Sequence, residues 1–325
     1  AQQCSEGSIR GTETVLYELQ RLGIPIQEDA PTMEGRTWSE RLRKKKGLSA
    51  SGVKENPILL SKPRRASSGV DVLKGNFFDS AVVKISGMPE EQLDDFDEKV
   101  AVVLYFESEE FAVDQLLNVR ILDMVYYAPG INRDTLAQLY RHNLGDRKNK
   151  LKGIAGKKEV FLRVVEENAL RLAVVIAGQG PKAYGMPEMF TPMHHINHNA
   201  ALKKIAALIS DGRYSGVSYG AAIGHVTPEA IHRGGILYLQ TGDLLHLRLR
   251  HRKINLLDAQ SFRKGKIDKF DGDLETHRHK LAERRFKRLV TRQNSLDPSY
   301  GMQRVTDAAH GVVPLEIWEK ALPWE

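Results

Sequence analysis

The stretch Ile205-Ala-Ala-Leu-Ile-Ser210-Asp-Gly-Arg-Tyr-Ser215-Gly216 sets the reading of the chain. A short apolar run that ends in a turn signal reads as a buried strand. Here it runs straight into a turn whose glycines, Gly212 and Gly216, permit tight backbone and expose amides. In α/β sheets the carboxyl end of a strand is where ligands are met.

Working outward, Leu172-Ala-Val-Val-Ile-Ala177 is a second apolar strand, followed by the loop Ala177-Gly-Gln-Gly-Pro181 and by Gly185-Met-Pro-Glu188-Met. From Gly69 onward short strands alternate with Gly, Pro and Asp turns, as in Ser80–Ser86 and Val100–Phe106, so a β-rich core begins there. Residues 109–168 read as helices with a polar interruption, Asn143 to Lys158, expected to be a surface loop. Thr227-Pro228-Glu229 carries an N-cap Thr and a Pro at the first helical position, which predicts a short helix. Ile236–Gln240, Leu244–Arg250 and Ile254–Leu257 read as a meander with tight turns.

The flanks are helical. Val15, Leu16, Leu19 and Leu22 share one face of a helix that Gly23 stops, and Arg36 to Lys46 predicts a second short helix before the small-residue linker Gly47–Gly52. Between Glu275 and Arg292 seven Lys or Arg accompany two acids, with Leu281, Phe286 and Leu289 on one face. This is a cationic amphipathic helix, expected to pack on the core rather than on a membrane or partner.

A chain of 325 residues with 41% hydrophobic content can bury a sizeable core. No window approaches the ~18 consecutive apolar residues of a membrane span, and the first residues lack a signal-peptide pattern, so a soluble, cytoplasmic protein is expected. The net charge of +7 is spread over loops and one helix without a nucleic-acid motif, which argues against nucleic acid as the partner. The single cysteine, Cys4, excludes an internal disulfide and cannot alone hold an iron-sulfur cluster. The chain starts at Ala1 rather than Met, which suggests a fragment or a processed chain.

Glu188 sits just after a strand on flexible backbone and could ligate Mg²⁺, which prefers oxygen donors and is often held by one or two carboxylates. Local chemistry alone favours an ordinary loop glutamate. Ser215 could be a nucleophile or base if a cation lowered its pKa; without one, a structural role is the better local reading. His194, His195 and His198 have helical spacing but no acid placed as in zinc proteases, so they read as surface or structural residues. His225 and Asp211 read first as turn residues and second as groups facing a ligand.

Together, Ser68-Gly-Val-Asp-Val-Leu-Lys-Gly-Asn76, Ala81-Val-Val-Lys-Ile-Ser-Gly87, Gly185-Met-Pro-Glu-Met189, Ser210-Asp-Gly-Arg-Tyr-Ser-Gly216 and Gly224-His-Val-Thr-Pro-Glu-Ala230 resemble, in order, the C-terminal half of the dihydroxy-acid and phosphogluconate dehydratase family. The resemblance runs from about residue 12 to about residue 260, and the phrase Tyr184–Met193 looks most like the sugar-acid branch, bacterial D-xylonate dehydratases especially. It implies an α/β fold with a β-barrel-like swivelling domain of aconitase type and helical extensions at both ends. The expected divisions are 1–60, a helical remnant of the inter-domain region with its linker; 61–265, the catalytic domain; and 266–325, the basic tail.

By the same resemblance Glu188 would ligate Mg²⁺, and Ser215, as an alkoxide, would remove the proton α to the substrate carboxylate. The iron of a cluster would act as Lewis acid on the departing 3-hydroxyl, and the enol would give a 2-keto-3-deoxy acid. Arg213, Ser218 and His225 are candidate substrate contacts. Some sugar-acid members have Thr two positions after the Ser where this chain has Val217, and Ser218 could substitute. The cluster cysteines and remaining Mg²⁺ ligands belong to the family's N-terminal half, so that half, or a separate subunit, is the expected partner in a homo-oligomer. A catalytically inactive homologue acting as a binding module is the alternative reading, and a dihydroxy-acid dehydratase of branched-chain amino-acid synthesis is a further one.

Overall fold

The structure, a computed structural model, describes residues 12–43, 69–117, 120–145, 151–215, 219–296 and 304–316. The chain forms two compact units, Ala1–Ser67 and Ser68–Glu325. In the first, α1 (Thr12–Arg21) and α2 (Trp38–Leu42) are both present, the second starting at Trp38 rather than at Arg36; residues 44–46 of the expected helix lie outside the described residues. Its start is fixed by a capping box: Thr37 Oγ1 accepts from Glu40 N and the Glu40 carboxylate accepts from Thr37 N.

The second unit is built on eight strands, β1 (Asp71–Leu73), β2 (Ser80–Val83), β3 (Lys99–Phe106), β4 (Leu172–Ile176), β5 (Ala206–Ser210), β6 (Ala222–Thr227), β7 (Leu244–Arg248) and β8 (Lys253–Leu256). They form one mixed sheet in the order β1-β2-β6-β5-β4-β3-β7-β8. The central four, β6-β5-β4-β3, run parallel, and the outer pairs are antiparallel. The two outermost strands nearly meet: Lys74 pairs with Lys253, donating its N–H to Arg252 O at 3.0 Å and accepting from Ile254 N at 3.0 Å. The sheet is thus a nearly closed, barrel-like α/β assembly.

Side-chain alternation along the strands sorts the core into two layers. Leu73, Val83, Val103, Ala173, Ile209, Ile223, Leu245 and Leu256, one from each strand, gather in the inner cluster. Their neighbours in sequence, such as Val102, Leu104, Val174 and Leu208, join an outer cluster beneath the helices. The helices over the outer cluster are α4 (Glu109–Leu117), α5 (Ile121–Tyr126), α6 (Arg133–Leu144), α7 (Lys157–Glu166), α9 (Phe190–His198), α10 (Leu202–Ile205) and α11 (Ala259–Arg263), whereas α3 (Glu90–Phe96), α8 (Pro181–Tyr184) and α12 (Leu274–Asn294) add their buried residues to the other cluster. The cationic α12 packs on the core as expected, burying Ala282, Arg285 and Leu289. No helix among the described residues is long and apolar enough to cross a membrane.

Three local expectations are corrected. Asn143 belongs to α6 and is buried, its amide donating to Val100 O and Ala169 O and accepting from Val100 N at 2.8–2.9 Å. A polar residue whose hydrogen bonds are all met can sit inside, so the interruption starts later; residues 146–150 lie outside the described set. Gly235–Tyr238 is a 3-10 helix rather than a strand, because a short apolar run buried on all sides carries no periodicity to tell the two apart. Thr227 closes β6, the Thr227–Pro228 peptide is cis, and the 3-10 turn that follows, Ala230–His232, has Glu229 rather than Thr227 at its N-cap position, with no side-chain capping bond.

Candidate functional site

The parallel strands β4, β5 and β6 direct their carboxyl ends the same way, and the segments after them carry the residues singled out in the sequence. The loop after β4 and the turn after β5 are laced together. Glu188 pairs with Arg213 as a parallel bridge, Met189 N donates to Arg213 O at 2.9 Å, and Arg213 N donates to Pro187 O at 3.2 Å. Two motifs 25 residues apart in sequence therefore form one short ladder.

The side chains follow this backbone. Arg213 Nη1 stands 3.7 Å from Glu188 Oε2, while Glu188 Oε1 is buried without a hydrogen-bond partner. An anionic oxygen held from water with no donor is costly, and it suits a cation ligand better than a finished salt bridge. His225 comes alongside: its N–H donates to Gly212 O at 2.9 Å and its backbone is left-handed, φ 57°. Burial lowers the His225 pKa, and the Arg213 charge lowers it further, so the ring is neutral near pH 7. Close approach is built into the turn: a Cβ at Gly224 would lie 2.6 Å from the Tyr214 ring, and one at Gly212 would lie 3.1 Å from Pro187 O.

Ser215 is half-buried at the far end of the same turn. Ser218, with Gly216 and Val217, lies outside the described residues. The structure therefore brings Glu188, Arg213 and His225 together, with Ser215 two residues beyond Arg213.

Two acids matter more than their sequence context shows. Asp211, fully buried, accepts from Gly178 N and Ala230 N at 3.0 Å and from Gln179 N at 2.8 Å, so one carboxylate ties together the segments after β4, β5 and β6. Burial raises its pKa against the opposing pull of those backbone donors. Glu229, also buried, accepts from Lys182 N and Ala183 N at 3.1 Å, and its pKa is pushed up to about 7 by burial and by the Asp211 charge. Gly180 makes room for it, since a Cβ there would fall 2.1 Å from Glu229 Oε2. The sequence signal for these roles was thin: an acid after a buried strand, and glycines in the loop it must reach.

The histidines of α9 contact one another. His194 and His198 stack at 3.8 Å between ring centroids, and His198 Nδ1 lies 2.9 Å from His194 O. Among the described residues no three His, Cys, Asp or Glu side chains are grouped to hold a metal ion. Glu188 can therefore supply one donor to a cation but not a complete cage. Cys4, the only cysteine, lies outside the described residues, and one thiolate does not hold a cluster.

Residues 153–295 match the family described as Dihydroxy-acid/6-phosphogluconate dehydratase C-terminal. Among curated proteins the chain is similar to one named dihydroxy-acid dehydratase from Maridesulfovibrio salexigens, 32% identical over 263 residues, covering 79% of this chain and 37% of that protein. It is similar to proteins of the same name from Clostridium novyi (31% over 249 residues; 76% and 35%) and Nitratidesulfovibrio vulgaris strain Hildenborough (32% over 253 residues; 76% and 35%). The chain spans little more than a third of the length of these relatives.

Proposed function

We propose that this chain is the base-bearing part of a hydro-lyase that removes water from a dihydroxy acid, a reading supported by the match of residues 153–295 to the C-terminal domain of the dihydroxy-acid/6-phosphogluconate dehydratase family. The observation that supports the reading is the ladder joining Glu188, one of whose carboxylate oxygens lacks a donor, to Arg213, the residue two before Ser215, at the carboxyl end of a parallel sheet. The aconitase-type swivelling architecture belongs to the same proposal and is supported by the nearly closed eight-stranded sheet.

In this reading Ser215 Oγ, ionised beforehand, takes the C2 proton of the substrate, the C3 hydroxyl departs with a proton drawn from solvent and so leaves as water, the enol formed tautomerises to a 2-keto acid, and Ser215 returns its proton to solvent. A proton α to a carboxylate is weakly acidic, and a serine hydroxyl is far too weak an acid to ionise unaided, so both need positive charge close by. Mg²⁺, which Glu188 would help to hold, supplies that charge when bound. Arg213 adds a fixed cation beside the same carboxylate, and the neutral His225 can accept or donate a hydrogen bond to a substrate oxygen without adding charge. Ser218 remains a proposed substrate contact. Assistance to the departing hydroxyl must come from a second part, which we take to be a cluster-bearing N-terminal half or subunit, since the residues of this chain do not suit a cluster.

For the substrate we favour a branched 2,3-dihydroxy acid, because the similar proteins are named dihydroxy-acid dehydratases. The sugar-acid reading, with D-xylonate as substrate, rests on the Tyr184–Met193 phrase alone. The test joins the chain to a cluster-bearing half and follows 2-keto acid from 2,3-dihydroxy-3-methylbutanoate and from D-xylonate. Turnover of the first, abolished by Ser215→Ala with the fold intact by circular dichroism, is the expected result. Near wild-type turnover by the variant would remove Ser215 as the base, and turnover of D-xylonate alone would restore the sugar-acid reading.

A further inference from the structure

A concavity lies beside the Gly178 loop, between the carboxyl ends of β3 and β4 and the helix α12. It encloses about 190 Å³, room for roughly six water-sized groups at a water's share of about 30 Å³. Its wall is mostly aliphatic, from Ala177, Ala230, Leu237 and Leu289.

Three guanidinium groups of α12, those of Arg285, Arg288 and Arg292, line the same cavity against a single carboxylate, Glu107. That carboxylate is already engaged: Arg288 grips it with two bonds, Nε to Oε2 at 2.7 Å and Nη2 to Oε1 at 2.6 Å. Arg285 shares that carboxylate only at longer range, its Nε 3.7 Å from Glu107 Oε1. Only 7% exposed, it lies over the Tyr105 ring at 3.5 Å and donates through Nη1 to Leu237 O and Leu239 O. Its Nε is buried without a hydrogen-bond partner, the nearest Glu107 oxygen standing 3.7 Å away. Arg292 reaches Gly178 O and Glu107 O through its two terminal nitrogens, and its Nε is likewise buried without a partner.

Buried guanidinium groups are ordinarily paired, since an uncompensated charge inside a protein is strongly unfavourable. Here the cations exceed the anions, two donors point nowhere, and a small cavity with aliphatic walls adjoins them. We propose that this cavity binds a small monoanion with a compact apolar body, a short branched-chain carboxylate, whose carboxylate meets Arg285 and whose alkyl group lies against Leu237 and Leu289. The proposal stands on the cavity and its charges alone, so it can fail or hold whatever the chain catalyses.

The test is isothermal titration of the whole chain with 3-methylbutanoate, inorganic phosphate and the neutral 3-methylbutan-1-ol, alongside the variants Arg285→Met and Arg288→Gln. Saturable binding of the carboxylate is expected, with the alcohol at least about tenfold weaker through loss of a charged hydrogen bond and phosphate at least about tenfold weaker through loss of the alkyl contact with Leu237 and Leu289. Arg285→Met should weaken carboxylate binding by about tenfold or more. Should that variant not fold, the exposed Arg288 provides the measure: its removal frees Glu107 to occupy Arg285, and the affinity should again fall. No binding of the carboxylate, equal binding of the alcohol or phosphate, or an affinity untouched by the folded variants would overturn the assignment.

Discussion

The acids at the carboxyl end of the sheet fall into two regions that differ in one respect, whether their oxygens are satisfied. Asp211 and Glu229 are buried and saturated by five backbone N–H donors, while Glu188 is only half-buried and keeps one oxygen without a partner. The first pair has nothing left to give a ligand and fixes where the loops run. The second is fixed by its backbone ladder, leaving its side chain available. A carboxylate that holds loops and one that works on a ligand can thus stand within a few residues of each other and be told apart by their donors.

The sharpest way to break this comparison is Asp211→Ala. It strands three buried N–H groups at once, and a loss of about 3 to 5 kcal/mol in urea denaturation is expected. Asp211→Asn, which retains one acceptor oxygen, should lose less. A change under about 1 kcal/mol for the alanine variant would mean that the loops are held by something else.

Next in size is the pH dependence carried by Glu229. Its folded pKa of about 7 lies above the ordinary 4.5, so the folded chain keeps this proton where the unfolded chain has released it. The stabilisation is complete below about pH 4.5 and is lost as pH rises to about 7, on the order of 3 kcal/mol in all. Comparing denaturation of the natural chain with Glu229→Gln across that window should show the difference shrinking as pH rises. A flat difference would place the carboxyl in an ordinary environment.

Gly180→Ala should cost about 1 to 3 kcal/mol, read as a lowered melting temperature, because the new Cβ would collide with Glu229 Oε2 and the loop must move. Smallest is Glu188→Gln, expected to change stability by less than about 0.5 kcal/mol, since its contact with the half-exposed Arg213 is long. The same variant should weaken Mg²⁺ binding in a calorimetric titration. A stability loss as large as that of Asp211→Ala would erase the distinction between the two regions.

Much of the frame was legible in the amino-acid order, because the strands that decide it, Leu172–Ile176 and Ala206–Ser210, are unbroken apolar runs ending at glycine turns. The cationic helix was legible for the same kind of reason, its apolar residues recurring at helical spacing. Ile236 to Tyr238 misled because a run buried on every side has no period. Asn143 misled because its partners, Val100 and Ala169, are distant in the chain. The site shows the same limit. Glu188 and Arg213 could be named from their motifs, but the role of Asp211 depends on amides at 178, 179 and 230 that only the folded sheet brings to it. The arginine-lined cavity was hidden for a related reason: the tail read as a cationic helix packed on the core, and only packing shows which of its cations face inward.

The contact between Lys74 and Lys253 has a consequence for association. An open sheet offers its outermost strands to any other chain with unpaired backbone groups, and this is a common route to polymers and to strand-adding partners. By pairing β1 with β8 at one residue, this sheet spends the end of that edge on itself. A strand offered by another chain would find that end of the edge already taken, which favours recognition there by shape and charge over the sequence-blind grammar of strand pairing.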